Sequence, residues 1–592
     1  MQYETLLRIL DQIRMETSQQ ANPRYFPVSN EIEKLNQARS RAYIHLYLKV
    51  MFGLTDFNLR ERVITDGSYD GGIDGYYIDT EVKIIHIIQS KFRTTAKNFE
   101  AKEILLEELL AMQLDRILNG ETVDEAGNAY NGKILQLQRE VSSLPDVARY
   151  SYRVVVLANL KGVSPQGLRQ LTGGFTAEVF DFEKTYSQLV FPVLTGTYFT
   201  ANDITIPIDL SNKNAGSKIS YNVITQYGNC EITVLFVPTL EIAKLMHKYK
   251  NAILKYNPRS YLEFDGQSVN NAIRATILQS ESNEFALFNN GITMLSEETN
   301  INEKIGQKNK AQLQVKNPQI INGGQTSFTL SRIYAEDPSQ AEAKFADKEV
   351  LLKIITLLDG NANKSKLKLI DEISNATNKQ TTVINADRFA NESFHVQVQK
   401  LMFDYYGFLY ERKRGELSDG VRNGYLKSSD IVERNHFWRL FYTANGKINL
   451  GFQKKLFQRN EFNDVNLNDR SSFDRLFLAI HVFRRLKKGL SHEMRVEKDI
   501  YGKVYAYIQL FHQQGLIIDD PSIDSNLSIL EQKWIGFIDI QRNLPRRHSQ
   551  AAFIDKETGE AKSSFSDKKY FRSPYFEKDL VSYFGGNTVE TV

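Results

Sequence analysis

The segment ITDGSYDGGIDGYYIDTEVKIIHIIQSKFR (64–93) sets a carboxylate, an amide and an ammonium where one hairpin could gather them. In a strand, residues i and i+2 share a face. Gln89 and Lys91 therefore project together from the end of the apolar run VKIIHII, and Asp74 lies on the preceding strand. Hydrolysis of a phosphodiester calls for a divalent cation that polarises the phosphoryl oxygen and activates water. Mg²⁺ (or Mn²⁺) prefers hard oxygen ligands. The candidate ligands are the Asp74 carboxylate, the Gln89 amide oxygen and the Ser90 backbone carbonyl. Lys91 could orient the water and offset charge in the transition state. The candidate catalytic set is thus Asp74, Gln89 and Lys91, with Gly71, Gly72 and Gly75 leaving room for a phosphate backbone. On spacing alone the same residues fit a hairpin with a polar end and a solvated lysine. A strongly apolar strand that stops abruptly in Gln-Ser-Lys, after a Gly/Asp-rich turn, favours a site.

The surrounding pattern supplies the elements. Helical periodicity covers 1–17 and about 31–52, and two strands follow, joined by a turn near Asp79-Thr80. Next come a long helical pattern over 97–118, a helix near 133–141, and the strands SYRVVVLANL and TAEVFDF. This order predicts an α/β fold: an N-terminal mixed sheet flanked by helices over 1–200. The stretch 201–231, with ITIPIDL and ITQYGNCEITVLFVP as strand-like pieces, is a boundary zone. An α+β domain with Asn/Gly-rich loops is expected over 201–470, turning to helix and loops from about 238, and a mainly helical region over 471–592. His86 points to the face opposite Gln89 and reads as structural.

The 64–93 segment resembles the PD-(D/E)XK nuclease superfamily, in particular its Mrr-like and Holliday-resolvase-like branch. The resemblance implies a restriction-endonuclease-like sheet, with the aspartate of GIDG as metal ligand and the (D/E/Q)xK pair on the next strand. Onto this chain these map as Asp74, Gln89 and Lys91. Two features depart from the pattern. A glutamine stands where an acid is more frequent, and the helix AYIHLYLKVMFG lacks the glutamate that many members carry before the hairpin. Asp70 and Asp66 are the acids that could substitute; their alternative reading is turn formation.

Three central segments are rich in side-chain amides: FALFNNGITMLSEE (285–298), QIINGGQTSFTL (319–330) and ISNATNKQTTVINADRF (373–389). Asn and Gln both donate and accept, so they suit base edges, sugars and phosphates, and equally the internal locking of buried loops. The candidate nucleic-acid contacts here are Asn290, Asn322, Gln325, Asn378 and Gln380. SYLEFDGQSVNNAIRATI (260–277), FALFNNGIT (285–293), QIINGGQTSFTL (319–330), NATNKQ (375–380) and YERKRGE (410–416) occur in the order of the abortive-infection phage-resistance (AIPR) family, which this region resembles. Gly324 departs from that pattern, where glutamine is commoner. The resemblance implies antiphage defence, and an N-terminal GIDG…QSK segment is usual in the family.

Residues 400–459 hold 12 Lys/Arg against 6 Asp/Glu, together with 12 aromatics, among them Tyr405, Tyr406, Tyr410, Trp438 and Tyr442. Cations among aromatics suit backbone neutralisation and base stacking. Arg412, Lys413 and Arg414 form the densest run. A solvated face over an aromatic core explains most of these residues as well. Over the whole chain the net charge is only +3 in 592 residues, so any nucleic-acid surface is a local patch. At 592 residues the chain has room for about three to four domains. Cys230 is the only cysteine, which excludes an internal disulfide and fits a reducing compartment. No signal peptide or membrane span is apparent, so a cytoplasmic protein is expected. There is no P-loop, no GxSxG, no HExxH and no dinucleotide fingerprint, and the nine histidines are scattered.

The expected function is a metal-dependent nuclease of a bacterial antiphage system, hydrolysing DNA in preference to RNA after activation. Its expected partners are nucleic acid, a phage-derived trigger or companion defence protein, and further copies of the chain. Two alternatives stay open: a catalytically weak or inactive nucleic-acid-binding or phage-sensing module, and a modification-dependent restriction endonuclease.

Overall fold

The apolar run around His86 forms strand β2 (Ile84–Ser90), the second of a four-stranded sheet. β1 (Gly75–Asp79) pairs with it antiparallel, while β3 (Ser151–Leu157) and β4 (Ala177–Phe180) add on in parallel, giving the order β1-β2-β3-β4. The sheet is mixed and covered on both faces, which is why its strands are almost continuously apolar. Side-chain alternation divides them between two cores. Ile88, Val155 and Leu157 pack with Leu6, Ile9 and Ile13 of helix α1 (Gln2–Arg14) and with Tyr43, Leu46 and Tyr47 of α2 (Ile32–Met51). Ile85, Ile87, Val154 and Val156 face the other way, onto Ile104, Leu114, Ile117, Ile134 and Leu137. Each such fully buried aliphatic contributes roughly 1.5–3 kcal/mol.

This is a computed structural model; the chain divides into two compact units, Met1–Val383 with Phe403–Ile431, and Ile384–Met402 with Val432–Val592. The residues described are 2–585 apart from 29, 81, 110, 161–162, 199–202, 211–218, 227, 258–267, 280–281, 359–367, 371, 374–375, 377–391, 453–461, 463–464, 489–496, 513–519, 545–549 and 555–560. Among them no helix is long and apolar enough to cross a membrane.

The long helix expected over 97–118 does not form. The chain makes short helices at Ala96–Glu100 and Leu114–Leu118, with one 3₁₀ turn at Leu106–Glu108 between them. Tertiary partners take the backbone donors that a helix would have used. Ile104 N–H donates to the Asn159 carbonyl (3.0 Å), Met112 N–H to Leu171 (3.1 Å) and Gln113 N–H to Gly71 (3.0 Å). The helix expected near 133–141 is present as Gly132–Ser142.

The rest of the first unit is richer in strand than its sequence suggests. β5 (Asp203–Asp209), β6 (Ile219–Thr225) and β7 (Gly228–Pro238) are followed by β8 (Ile292–Ser296), β9 (Glu298–Asn302), β10 (Lys310–Lys316), β11 (Gln319–Asn322) and β12 (Glu349–Leu357). They form a five-stranded sheet, β11-β8-β12-β7-β6, and a three-stranded sheet, β5-β10-β9. Helices form after 238 as expected, and short strands with period-2 burial occur between them; in β10, Ala311, Leu313 and Val315 point inward, with Lys310, Gln314 and Lys316 exposed. The helices Thr239–Tyr249 and Gly324–Glu336 share one core with these sheets through Ile242, Met246, Phe328 and Leu330.

Residues 403–431 return to the first sheet. Phe403, Leu409, Leu417, Tyr425 and Leu426 join the α1/α2 core, and Arg8 pairs with Asp430 at 2.7 Å. Sequence order assigned this stretch to the central domain. The second unit is mainly helical, through Arg434–Ala444, Arg470–Lys488, Glu497–Phe511, Asp520–Arg542 and Tyr575–Gly585. Its helices begin before the expected 471, because Phe437, Trp438 and Phe441 bury one face of the first of them.

His86 is a structural residue, its ring tilted against Phe52 (4.7 Å between rings), with its Nδ1 buried and unpartnered. Burial, reinforced by Arg153, lowers its pKa to about 4. The unfolded chain therefore takes up this proton below about pH 6.5, whereas the folded chain does not until about pH 4. The stability contribution is complete at neutral pH and is lost as pH falls through that window. His86→Leu should accordingly shrink the drop in melting temperature between pH 7.5 and pH 5.0; an unchanged drop in thermal scans would refute this assignment.

Candidate metal centre

The site begins with a turn that few sequences could make. Between Asp66 and Gly75 the backbone is left-handed at Tyr69 (φ 59°), Gly71 (φ 65°) and Gly72 (φ 77°). A Cβ at Gly71 would also lie 2.7 Å from Ile117 Cδ1, so the position needs glycine on both counts. Asp70 closes the turn on itself. Its carboxylate accepts from Gly72 N–H (2.9 Å) and Gly67 N–H (3.1 Å). Asn131 ties the turn to the next helix. Its Oδ1 caps Gly132–Ser142 by accepting from Lys133 and Ile134 N–H (3.0 Å each), and its Nδ2 donates to the Thr65 carbonyl (3.0 Å).

Asp74 sits one residue before β1. Its N–H donates to the Ile88 carbonyl (2.8 Å), and its carboxylate accepts from Ser90 N–H at 2.6 Å. The register Gly75↔Ile88, carried one residue further, sets Asp74 opposite Gln89. Gln89 is buried on β2; Lys91, two residues on, is exposed. The positive charge of Lys91 acts on Asp74, so the three predicted residues converge on the end of one hairpin. Ser90 supplies its N–H to Asp74, and its hydroxyl oxygen is buried without a hydrogen-bond partner.

Asp66 and Asp70 belong to the same cluster. Ligand oxygens of Asp66, Asp70 and Asp74 all lie within 4.8 Å of one another. Burial, the neighbouring acids Asp66 and Asp70 adding to it, raises the Asp74 pKa to about 8 against the opposing pull of the Ser90 N–H and Lys91. Burial also raises Asp70. Convergent hard oxygens with mutual repulsion are what a divalent cation relieves. Two ligands on opposite sides of Mg²⁺ stand about 4.2 Å apart, so the present spacing needs little contraction.

From the helix side, a guanidinium reaches the cluster. Arg41 of α2 donates to the Asp66 carbonyl (2.9 Å) and carboxylate (3.2 Å), to Glu61 (2.9 Å) and to the Tyr25 hydroxyl (2.8 Å). Glu61, on α3 (Phe57–Arg62), also meets His45 at 3.0 Å. Burial would raise Glu61, but His45 and Arg41 outweigh it and hold the acid at about 2. Sequence reasoning missed this network, because Arg41 lies inside an apolar stripe and nothing local pairs it with Glu61. Asn131 was legible in principle as an Asn-Gly before a helical pattern.

The other candidate contacts fall into different roles. Asn290 is exposed beside Leu287 and Phe288 (81% and 73% exposed). Asn322 accepts from Gly323 N–H (2.6 Å), and Gln325 donates to Asn270 (3.1 Å), which also accepts from Thr329 (2.9 Å). Asn289 meets Thr326 (3.1 Å) and Gly291 (3.0 Å). The amide motifs thus meet one another at the start of Gly324–Glu336. Asn378 and Gln380 lie outside the described residues. In the basic run, Arg412 pairs with Glu416 (2.6 Å) and Arg414 is half-buried. Lys413 is not a surface cation. It is buried, and its ammonium donates to the carbonyls of Leu254 (3.2 Å), Lys255 (2.7 Å) and Asn257 (2.9 Å). Burial, with Arg412 adding to it, lowers its pKa well below the ordinary lysine value. This corrects its assignment to nucleic-acid binding.

Residues 254–540 match the family model described as AIPR protein, which spans the region of the amide motifs. No curated protein and no solved structure matches the chain.

Asn131→Ala removes a helix cap and the amide that steadies the acidic turn. Chemical denaturation should show a loss of about 1–2 kcal/mol. Calorimetric Mn²⁺ affinity should fall with it; unchanged affinity would mean that Asn131 does not position the acids.

Proposed function

We propose that this chain is an AIPR-family phage-defence protein whose N-terminal sheet carries a Mg²⁺- or Mn²⁺-dependent nuclease acting on DNA. The observation that carries the reading is the convergence of Asp66, Asp70 and Asp74 within 4.8 Å at a hairpin end that also presents Lys91. The AIPR match over 254–540 supports the defence role.

Asp66, Asp70 and Asp74 would hold the cation, which supplies Lewis-acid polarisation of a phosphoryl oxygen and a more acidic water. Lys91, which is exposed, would meet the phosphate and offset the charge that grows on it. Gln89 can orient the water through its amide. The Ser90 N–H fixes the Asp74 carboxylate and so sets its direction toward the cluster.

A second reading, a module that holds nucleic acid without cutting it, is favoured by one observation: Arg41 already neutralises part of the acidic cluster. Incubating the pure full chain with duplex DNA, single-stranded DNA and RNA, with Mg²⁺ or Mn²⁺, separates the two. The nuclease reading expects cleavage that chelation stops. It also expects Asp74→Ala and Lys91→Ala each to lower the rate by about 10²-fold or more while both variants keep a cooperative melting transition. Variants that cut like the parent would remove the site assignment. Retention of every substrate without product would select the binding module.

A further inference from the structure

β6 (Ile219–Thr225) is the last strand of the five-stranded sheet, and among the described residues no strand pairs with its outer edge. An exposed edge presents a row of unspent N–H and C=O groups, which folded proteins usually guard with lysine, proline or a bulge. β6, with the sequence ISYNVIT, has no charged residue and no proline, and its pairing with β7 runs in unbroken register from Ile219↔Val234 to Thr225↔Gly228. Apolar side chains stand out from both faces: Ile219 is 61% exposed, Tyr221 66% and Ile224 87%.

We infer that this edge pairs antiparallel with β6 of a second copy of the chain, joining two five-stranded sheets across a two-fold axis. Two features select a second copy as the occupant. First, a strand that meets itself antiparallel sets its own charges against one another; β6 has none, so self-pairing carries no like-charge penalty. Second, the sequence is self-complementary in side-chain type. In the register centred on Asn222, Tyr221 lies opposite Val223 of the second copy, Ile219 opposite Thr225, and Ser220 opposite Ile224. Ile219, Tyr221 and Val223 of both strands then fall on one face as aromatic–β-branched and β-branched pairs, which favour association. A seven-residue edge is a small contact, so a weak dimer is expected. The inference is independent of the nuclease reading, since it uses no residue of the acidic cluster.

Sedimentation equilibrium of the full chain over about 1–100 μM, a range that captures a weak dimer, tests it. The parent should dimerise. Asn222→Lys and Asn222→Glu, each alone, should weaken dimerisation by about tenfold or more, because each sets like charges together at the axis. An equimolar mixture of the two variants should dimerise again. Position 222 is exposed and lies opposite Glu231 of β7, so circular dichroism checks that both variants, the glutamate above all, keep the parent fold, and the recovery of dimers in the mixture shows that the glutamate strand is still in place. A monomeric parent, dimers indifferent to both charges, or a mixture that fails to restore dimers would overturn the proposal. The first of these outcomes would leave the edge to an extended peptide of another protein.

Discussion

The hydrogen bond from the Ser90 N–H to the Asp74 carboxylate turns a glycine-rich bend into a site. It reaches from the last residue of a buried strand to an acid one residue before its partner strand, so it can form only if the β1–β2 register is correct. A slip of one residue would carry Gln89 and Lys91 to the opposite face. Register in turn is enforced by the two cores, since Ile85 and Ile87 must enter one and Ile88 the other. The position of a single carboxylate is therefore specified by apolar packing over the whole four-stranded sheet.

Around that bond, electrostatics opposes assembly. Three aspartates are held close together, two of them raised by burial, and the stabilising groups are few: backbone N–H donors from Gly67, Gly72 and Ser90, the guanidinium of Arg41 and the nearby Lys91. Arg41 is itself held by Tyr25 and Glu61, and Glu61 by His45. The cluster is thus braced from the helix side by a buried network, while Asp66 and Lys91 are exposed to solvent. Such bracing limits collapse of the acids and keeps their oxygens convergent.

Much of the N-terminal sheet was legible because its signals are local. The apolar strands, the Gly/Asp turn and the helix 132–142 each announce themselves over a few residues. What was not legible depends on distant partners. The run 97–118 has helical periodicity, yet its backbone donors go to Asn159, Leu171 and Gly71. Residues 403–431 look like part of the central region but complete the core over α1 and α2. Lys413 has the sequence neighbourhood of a phosphate contact, and only the fold reveals the three carbonyls that enclose its ammonium. Asn322 and Gln325 illustrate an ambiguity built into amides: the groups that could meet a base also fasten one loop to another. Asp66 and Asp70 were legible as acids in a turn; their convergence on Asp74 was not, because it needs the left-handed backbone at residues 69, 71 and 72.

The central claim is that Asp66, Asp70 and Asp74 form one cation site. Anomalous diffraction from crystals soaked in Mn²⁺ tests it most directly. The account predicts a strong peak bounded by carboxylate oxygens of these three residues, close to Ser90 and on the Lys91 side of the hairpin. A saturating soak that leaves this position empty, or places the ion only on acids elsewhere in the chain, would contradict it.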